Sequence, residues 1–243
     1  MHSNKAQEIS SEKLWAEIKR KGGRILIGTL LVYIFGIYLP NIYGIGLTIN
    51  VLFFMLLIAI FLDYLRVNFK MPFPIYSYFS MRPSERVGLF GSTLAGIGGV
   101  LAITFFDFDI ALAAVAMYLY GDAFAGIAGI QYGKIKIYNG KSLEGSLAMF
   151  VVSATVGFVF LNNIFLIIGM AFFATLIELL VTQISDDLVL PLYTAFSGQL
   201  IAVVLGLRLP TKGFSTALII WLILILALLV FFGPMALYRK LRK

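Results

Sequence analysis

Apolar residues run through this chain in long unbroken stretches, and the charged residues collect between them. About 20 consecutive apolar residues are needed for a helix to cross the hydrocarbon core of a bilayer. The pattern predicts an all-α fold, a polytopic transmembrane helical bundle of about eight spans. The spans fall near residues 25–39, 46–65, 88–106, 108–131, 143–161, 163–182, 189–207 and 214–238. Several connections are only a few residues long, so neighbouring spans are expected to form antiparallel hairpins. Residues 1–24 read as a cytoplasmic N-terminal segment, 25–238 as a single catalytic bundle and 239–243 as a basic cytoplasmic tail. The first 24 residues are polar and basic, and the first apolar run follows without a small-residue cleavage site. That run is therefore expected to be retained as a membrane helix.

The basic residues set the orientation. Of the 19 Lys and Arg, all but Arg208 and Lys212 fall in the N-terminal segment, the 66–86 loop, the 134–141 loop or the C-terminal tail. An even number of spans with both termini in the cytoplasm puts all four segments on the inner face, as the positive-inside rule requires. The 66–86 loop carries Pro72, Pro74 and Pro83 with Phe73, Tyr76, Tyr78 and Phe79. Such a segment suits the headgroup level.

Composition agrees with the pattern. The 243 residues are 60% hydrophobic and 13% charged, with mean hydropathy +0.97, where a soluble domain carries roughly a quarter charged residues. The length fits one bundle. There is no cysteine, which excludes disulfides, thiolate chemistry and cysteine-bound zinc, and the single histidine is His2. Catalysis by histidine is not expected. The net charge of +7 is explained by membrane orientation, and no nucleic-acid partner is expected.

An acid inside an apolar helix is costly and needs a reason. Asp122 lies within the fourth span, with Gly121, Ala125 and Gly129 at four-residue spacing around it. Small residues at that spacing let helices approach closely, but they do not explain a carboxylate. The next loop crowds Lys134, Lys136 and Lys141 around Asn139 and Gly140, and Ser142 then precedes Leu143, Glu144, Gly145 and Ser146. This reads as a helix start with Ser142 as cap, and a helix N-terminus flanked by lysines and glycines suits phosphate. Glu178 lies near the inner end of the sixth span. Asp186 and Asp187 follow in the turn, and Pro191 opens the next span. Asp186 reads as a capping residue. A pair of carboxylates at a membrane surface suits magnesium, which takes a few carboxylates plus substrate phosphates. The topology gathers these acids and lysines at the cytoplasmic boundary, beside apolar walls. That combination points to phosphoryl or nucleotidyl transfer to a lipid.

The stretch GDAFAGIAGIQYGKIKIYNGKSLEGSLAMF resembles the signature of the CTP-dependent lipid kinases. That family includes dolichol kinase, phytol kinase and the yeast-type diacylglycerol kinase. Its pattern falls on Gly121, Asp122, Ala125, Gly129, Gly133, Lys134, Lys141, Ser142, Glu144, Gly145 and Ser146. A later element falls on Glu178, Asp186, Asp187 and Pro191. Together they cover roughly residues 115–192. Leu188 stands where the family has Asn after the two acids. Arg24 stands where a His commonly follows Arg-Lys near the N-terminus, and Arg82 with Glu85 partly echoes an Arg…Glu pair.

The resemblance implies transfer of the γ-phosphate of CTP to the hydroxyl of a membrane lipid, an isoprenoid alcohol such as dolichol or another polyprenol before phytol, geranylgeraniol or diacylglycerol. Gly121, Lys134, Lys136, Lys141, Ser142, Gly145 and Ser146 would contact CTP. Asp122 and Asp187 would bind Mg²⁺, Asp122 being catalytic. Glu144 or Glu178 would orient the lipid hydroxyl or act as base. No Walker loop is present. Two other readings compete. A cytidylyltransferase making a CDP-lipid shares the nucleotide and the setting, but its longer acidic, glycine-rich C-terminal signature is not found. A transporter would use Asp122 as a midplane acid, but leaves the lysine-rich loop beside Glu144 unexplained.

Overall fold

In an apolar surround a backbone must satisfy its own N–H and C=O groups, and a helix does so within one segment. The apolar runs accordingly appear as helices in the computed structural model, which describes residues 2–69, 89–181 and 185–207. Helix α1 (His2–Val32) passes into a π-helical stretch, Tyr33–Tyr38, and then into α2 (Leu39–Phe69). There follow α3 (Gly91–Phe105), α4 (Phe108–Gln131), α5 (Leu143–Phe160), α6 (Ile164–Leu180) and α7 (Asp186–Val204). A small antiparallel hairpin, β1 (Lys136–Tyr138) and β2 (Lys141–Ser142), separates α4 from α5. The expected all-α class holds. The 70–88 segment with its prolines and aromatics, Arg82 and Glu85, the apolar run near 214–238 and the basic tail lie outside the described residues.

Among the described residues, four stretches are long and apolar enough to cross a membrane: Glu17–Phe69, Phe108–Gln131, Leu143–Phe160 and Asp186–Val204. Helices α3 and α6 are apolar but shorter, 15 and 17 residues. At 1.5 Å per residue they reach about 23 and 26 Å, against about 30 Å of hydrocarbon. Large apolar side chains such as Leu147, Val159, Phe165, Phe172 and Val203 point outward and are exposed, as a lipid-facing surface requires.

The first long stretch is bent back on itself. Gly44 interrupts the helix at φ 79°, ψ 161°, a conformation open to glycine and strained for any other residue. Arg24 shares a cavity with Phe90 and Ser92 at the start of α3, while Val32, Phe35 and Leu52 meet Ile103 near its end. Asp63 returns to the Phe90 level, where its Oδ2 accepts from the Phe90 N–H at 2.9 Å and its Oδ1 from Arg66 Nε at 2.9 Å. The chain thus rises in α1 and descends in α2.

Helix α4 is the axis of the bundle. Ala111, Ala113, Ala114, Ala116 and Met117 are fully buried, and a helix apolar on all sides belongs at the centre. Its most extensive partner is α5. The expected small-residue seam is there: a Cβ on Gly121 would lie 2.6 Å from Ser153 Oγ, and one on Gly145 would lie 2.9 Å from the Ala125 carbonyl oxygen. Helix α1 and the π-helical stretch that follows it pack on another face of α4, with Gly28 against Leu119 and Gly36 against Leu112.

Helix α7 begins earlier than the sequence suggests. Asp186 and Asp187 form its first turn, and Pro191 lies inside it. Pro191 has no N–H to give to the carbonyl of Asp187. Against this turn sits Gly98 of α3, where a Cβ would press on the Leu188 carbonyl oxygen and lie 2.9 Å from Pro191 Cγ. Gly98→Ala should therefore destabilise the protein by about 1–3 kcal/mol. Gly22→Ala, with nothing within 4 Å of the new methyl, should stabilise α1 by roughly 0.5–1 kcal/mol. Thermal unfolding in detergent measures both, and equal effects at the two positions would contradict the packing described.

Candidate functional site

Three acids from three helices meet at one end of the bundle, each facing a cation from elsewhere in the chain. Asp122 lies on the α4 face that also carries Tyr118 and Gly126, spaced by four residues and so aligned. Lys21 of α1 reaches across to it: Nζ lies 3.0 Å from Asp122 Oδ1 and also donates to the Asp122 carbonyl. Gly126 leaves room for this ammonium, since a Cβ there would lie 2.5 Å from Lys21 Nζ. Glu17 supports the arrangement from one turn earlier in α1. Its Oε1 is 3.6 Å from Lys21 Nζ, and its Oε2 accepts from Arg20 Nε at 3.1 Å.

Asp187 is the second residue of α7, where the positive end of the helix dipole favours a carboxylate. Its Oδ1 accepts from Arg24 Nη1 at 2.8 Å and from the Tyr118 hydroxyl at 2.8 Å. Asp186, expected to cap the helix, is instead its first residue: Ser185 holds the cap position without a side-chain cap bond, and Asp186 Oδ1 accepts from the adjacent Asp187 N–H at 3.1 Å. At the end of α6, Glu178 Oε1 pairs with Lys141 Nζ at 2.7 Å, and Lys141 also donates to the Glu178 carbonyl. These pairs are one electrostatic unit. Asp122 and Asp187 both act on Tyr118, and Asp122 and Lys21 both act on Glu178. Asp122, Asp187 and Glu178 are all buried.

The 134–146 segment is more ordered than a basic loop. Asn139 (φ 46°) and Gly140 (φ 78°) form a two-residue turn with both φ angles positive, the geometry that Asn-Gly favours between strands. Ser142 caps α5 as expected, its Oγ accepting from the Gly145 N–H at 3.2 Å. Glu144 Oε1 accepts from the backbone N–H of Lys134 at 3.0 Å and of Ile135 at 3.3 Å. Its carboxylate thus ties the hairpin to the helix.

Of the residues singled out in the sequence, Asp122, Glu178, Asp187 and Lys141 come together. Glu144 is engaged with the hairpin. Lys134 and Lys136 are exposed on the hairpin. Gly121 and Gly145 are packed in the α4–α5 seam, and the Gly145 amide, expected to serve phosphate, is held by Ser142. Ser146 Oγ is buried with no hydrogen-bond partner among the described residues. Sequence reasoning missed Glu17, Lys21 and Tyr118 and noted Arg24 only as standing where the resembled family commonly has a His. Lys21 and Arg24 looked like topology signals beside the first span. Tyr118 could have been found by its position one helical turn before Asp122.

Among the described residues no group of three or more metal-ligating side chains is gathered. Magnesium needs only one or two protein carboxylates, with water and phosphate completing its shell. Asp122 and Asp187 offer hard oxygen donors, and each already bonds a cationic nitrogen. The donor chemistry fits.

A cavity of about 220 Å³ opens beside the cluster, between α1, α2, α3 and α4. Arg20, Arg24 and Tyr118 lie at one end and Phe35, Ile103 and Leu112 at the other. No family model, curated protein or solved structure matches the chain.

Removing one partner of a buried ion pair strands the other charge, at about 3–5 kcal/mol. Lys21→Ala should destabilise the protein on that scale, and Lys21→Met combined with Asp122→Leu should recover most of the loss. Unfolding midpoints in detergent measure this. A double variant as unstable as the single one would show that Lys21 and Asp122 are not a pair.

Proposed function

We propose that this protein is a CTP-dependent lipid kinase that phosphorylates the hydroxyl of a membrane isoprenoid alcohol. One observation carries the reading: three buried carboxylates, each paired with a cation from a distant part of the chain, are gathered at one end of a largely apolar bundle. Buried ion pairs add little net stability over apolar packing, so their concentration at one place points to chemistry. The sequence resemblance across residues 115–192 supplies the reaction class. In this reading the bundle has eight spans, both termini are cytoplasmic, and the cluster faces the cytoplasm.

Phosphoryl transfer depends on positioning and charge neutralisation. The lipid hydroxyl oxygen attacks the γ-phosphorus of CTP, the bond from that phosphorus to the β-phosphate oxygen breaks, and CDP leaves. The hydroxyl proton passes to a carboxylate. Glu178 is the better placed of the two candidate bases, because it shares the electrostatic field of Asp122 and Lys21 while Glu144 is bound to the hairpin backbone. Lys141, with Lys134 and Lys136 on the adjoining hairpin, supplies positive charge for the triphosphate, and Ser146 a hydroxyl. Asp122 and Asp187 would hold Mg²⁺, which neutralises phosphate charge when bound. Tyr118 and Arg24 fix the Asp187 carboxylate.

Purified protein given CTP, magnesium and geranylgeraniol should yield CDP and geranylgeranyl monophosphate. Asp122→Asn should slow this by about a hundredfold or more while the protein remains folded. Pyrophosphate with a CDP-lipid would replace the kinase by a cytidylyltransferase, and solute uptake without CTP turnover would favour a transporter. The absence of native cysteine makes the topology testable by single-cysteine labelling. A membrane-impermeant maleimide should reach Lys136→Cys from the cytoplasmic side only and Asn162→Cys from the opposite side only. Labelling of both from one side would overturn the arrangement.

A further inference from the structure

The cavity beside the acid cluster is amphipathic along its length. Its polar groups, Arg20, Arg24, Ser92 and Tyr118, belong to one end. Beyond them it runs along α1 towards Gly36 between apolar walls that include Phe35, Val100, Ile103 and Leu112. Two wall residues of α1, Ile27 and Leu31, are 43% and 39% exposed, so the slot has a side opening on the outer surface of α1. At the polar end Arg20 Nη1 is buried and has no hydrogen-bond partner among the described residues. A buried guanidinium donor left unsatisfied is costly, and Arg20 is one of the residues that line the cavity. An occupant that relieves this cost brings an oxygen acceptor to the arginine end and hydrocarbon to the rest.

We propose that this cavity binds the acceptor substrate as a single slender hydrocarbon chain ending in a primary hydroxyl, with that oxygen at Arg20 and Arg24. The inference rests on the lipid-kinase reading and adds where the chain lies and which alcohols fit. Since a cavity of ~150 Å³ holds benzene, the volume here accommodates roughly nine carbons. That is close to two isoprene units, and the remainder of a longer chain leaves past Ile27 and Leu31 into the bilayer. The slot takes one chain at a time, which favours prenol-type alcohols over diacylglycerol. The hydroxyl at the arginine end adjoins Tyr118 and, through it, Asp187. After transfer, the phosphate monoester would meet two guanidinium groups, the side chains best suited to bind it bidentately.

The test is photolabelling of the full chain in nanodiscs by geranylgeraniol carrying a diazirine on its second isoprene unit, the last that the slot encloses, without CTP. Labelled peptides should come from α1 and α3. Unlabelled geranylgeraniol should displace the probe and dioleoylglycerol should not. Gly96→Leu should reduce labelling at least fivefold, because a Cβ at Gly96 makes only an ordinary 3.4 Å contact with Leu56 and the longer side chain enters the slot. Val100→Phe provides a second obstruction should the first variant fold poorly. Arg20→Leu should weaken capture of the alcohol more than capture of a matching diazirine-bearing hydrocarbon without the hydroxyl. Labelling unchanged by either obstruction, or equal displacement by dioleoylglycerol, would overturn the assignment. Phosphorylation of geranylgeraniol with labelling elsewhere would sink the slot and leave the kinase standing. Slot labelling with no phosphate transfer would keep the slot and remove the kinase.

Discussion

Ionised side chains inside an apolar bundle must be neutralised where they stand, because bulk water is not there to do it. The bundle end meets that constraint three times with partners from distant parts of the chain. Lys21 comes to Asp122, Arg24 to Asp187 and Lys141 to Glu178. Each pair links a different set of elements, so α1, α4, α6, α7 and the hairpin are held together by charge as well as packing. The glycines follow from the same demand: Gly126 is bare where the Lys21 ammonium must pass, and Gly121 and Gly145 let α5 come close enough to carry Lys141 to α6.

The acidic half of the site was legible in the sequence, and the basic half was not. A carboxylate within an apolar helix stands out because nothing about the membrane requires it, so Asp122, Glu178 and Asp187 could be picked one by one. Lysine and arginine beside a span already have an explanation in membrane orientation, and that explanation concealed Lys21 and Arg24. Tyr118 was hidden by a different ambiguity, since aromatic residues are common in membrane helices. Lys141 was found because the loop around it held lysines, glycines and a cap in one short segment.

Helix positions were read well and helix ends less so. Hydropathy finds where a chain is greasy, but Gly44, the Asn139–Gly140 turn and the early start of α7 depend on backbone geometry and polar partners. The hairpin was read as a basic loop although Asn-Gly stands between short segments that alternate Lys and Ile. There the concentration of charge drew more notice than the alternation. The long α1 was cut at residue 25 for a similar reason, because the polar stretch before it forms helix without being apolar.

Pro191 gives the start of α7 a mechanical character of its own. With one rung of its backbone ladder missing, the opening turn is a joint rather than the rigid end of a rod. What keeps Asp187 on station is then its moorings to Arg24 and Tyr118, and those lie on helices that border the same apolar slot. Arg24 and Tyr118 themselves line that slot, so the two side chains that border the apolar space are also the ones that hold the carboxylate.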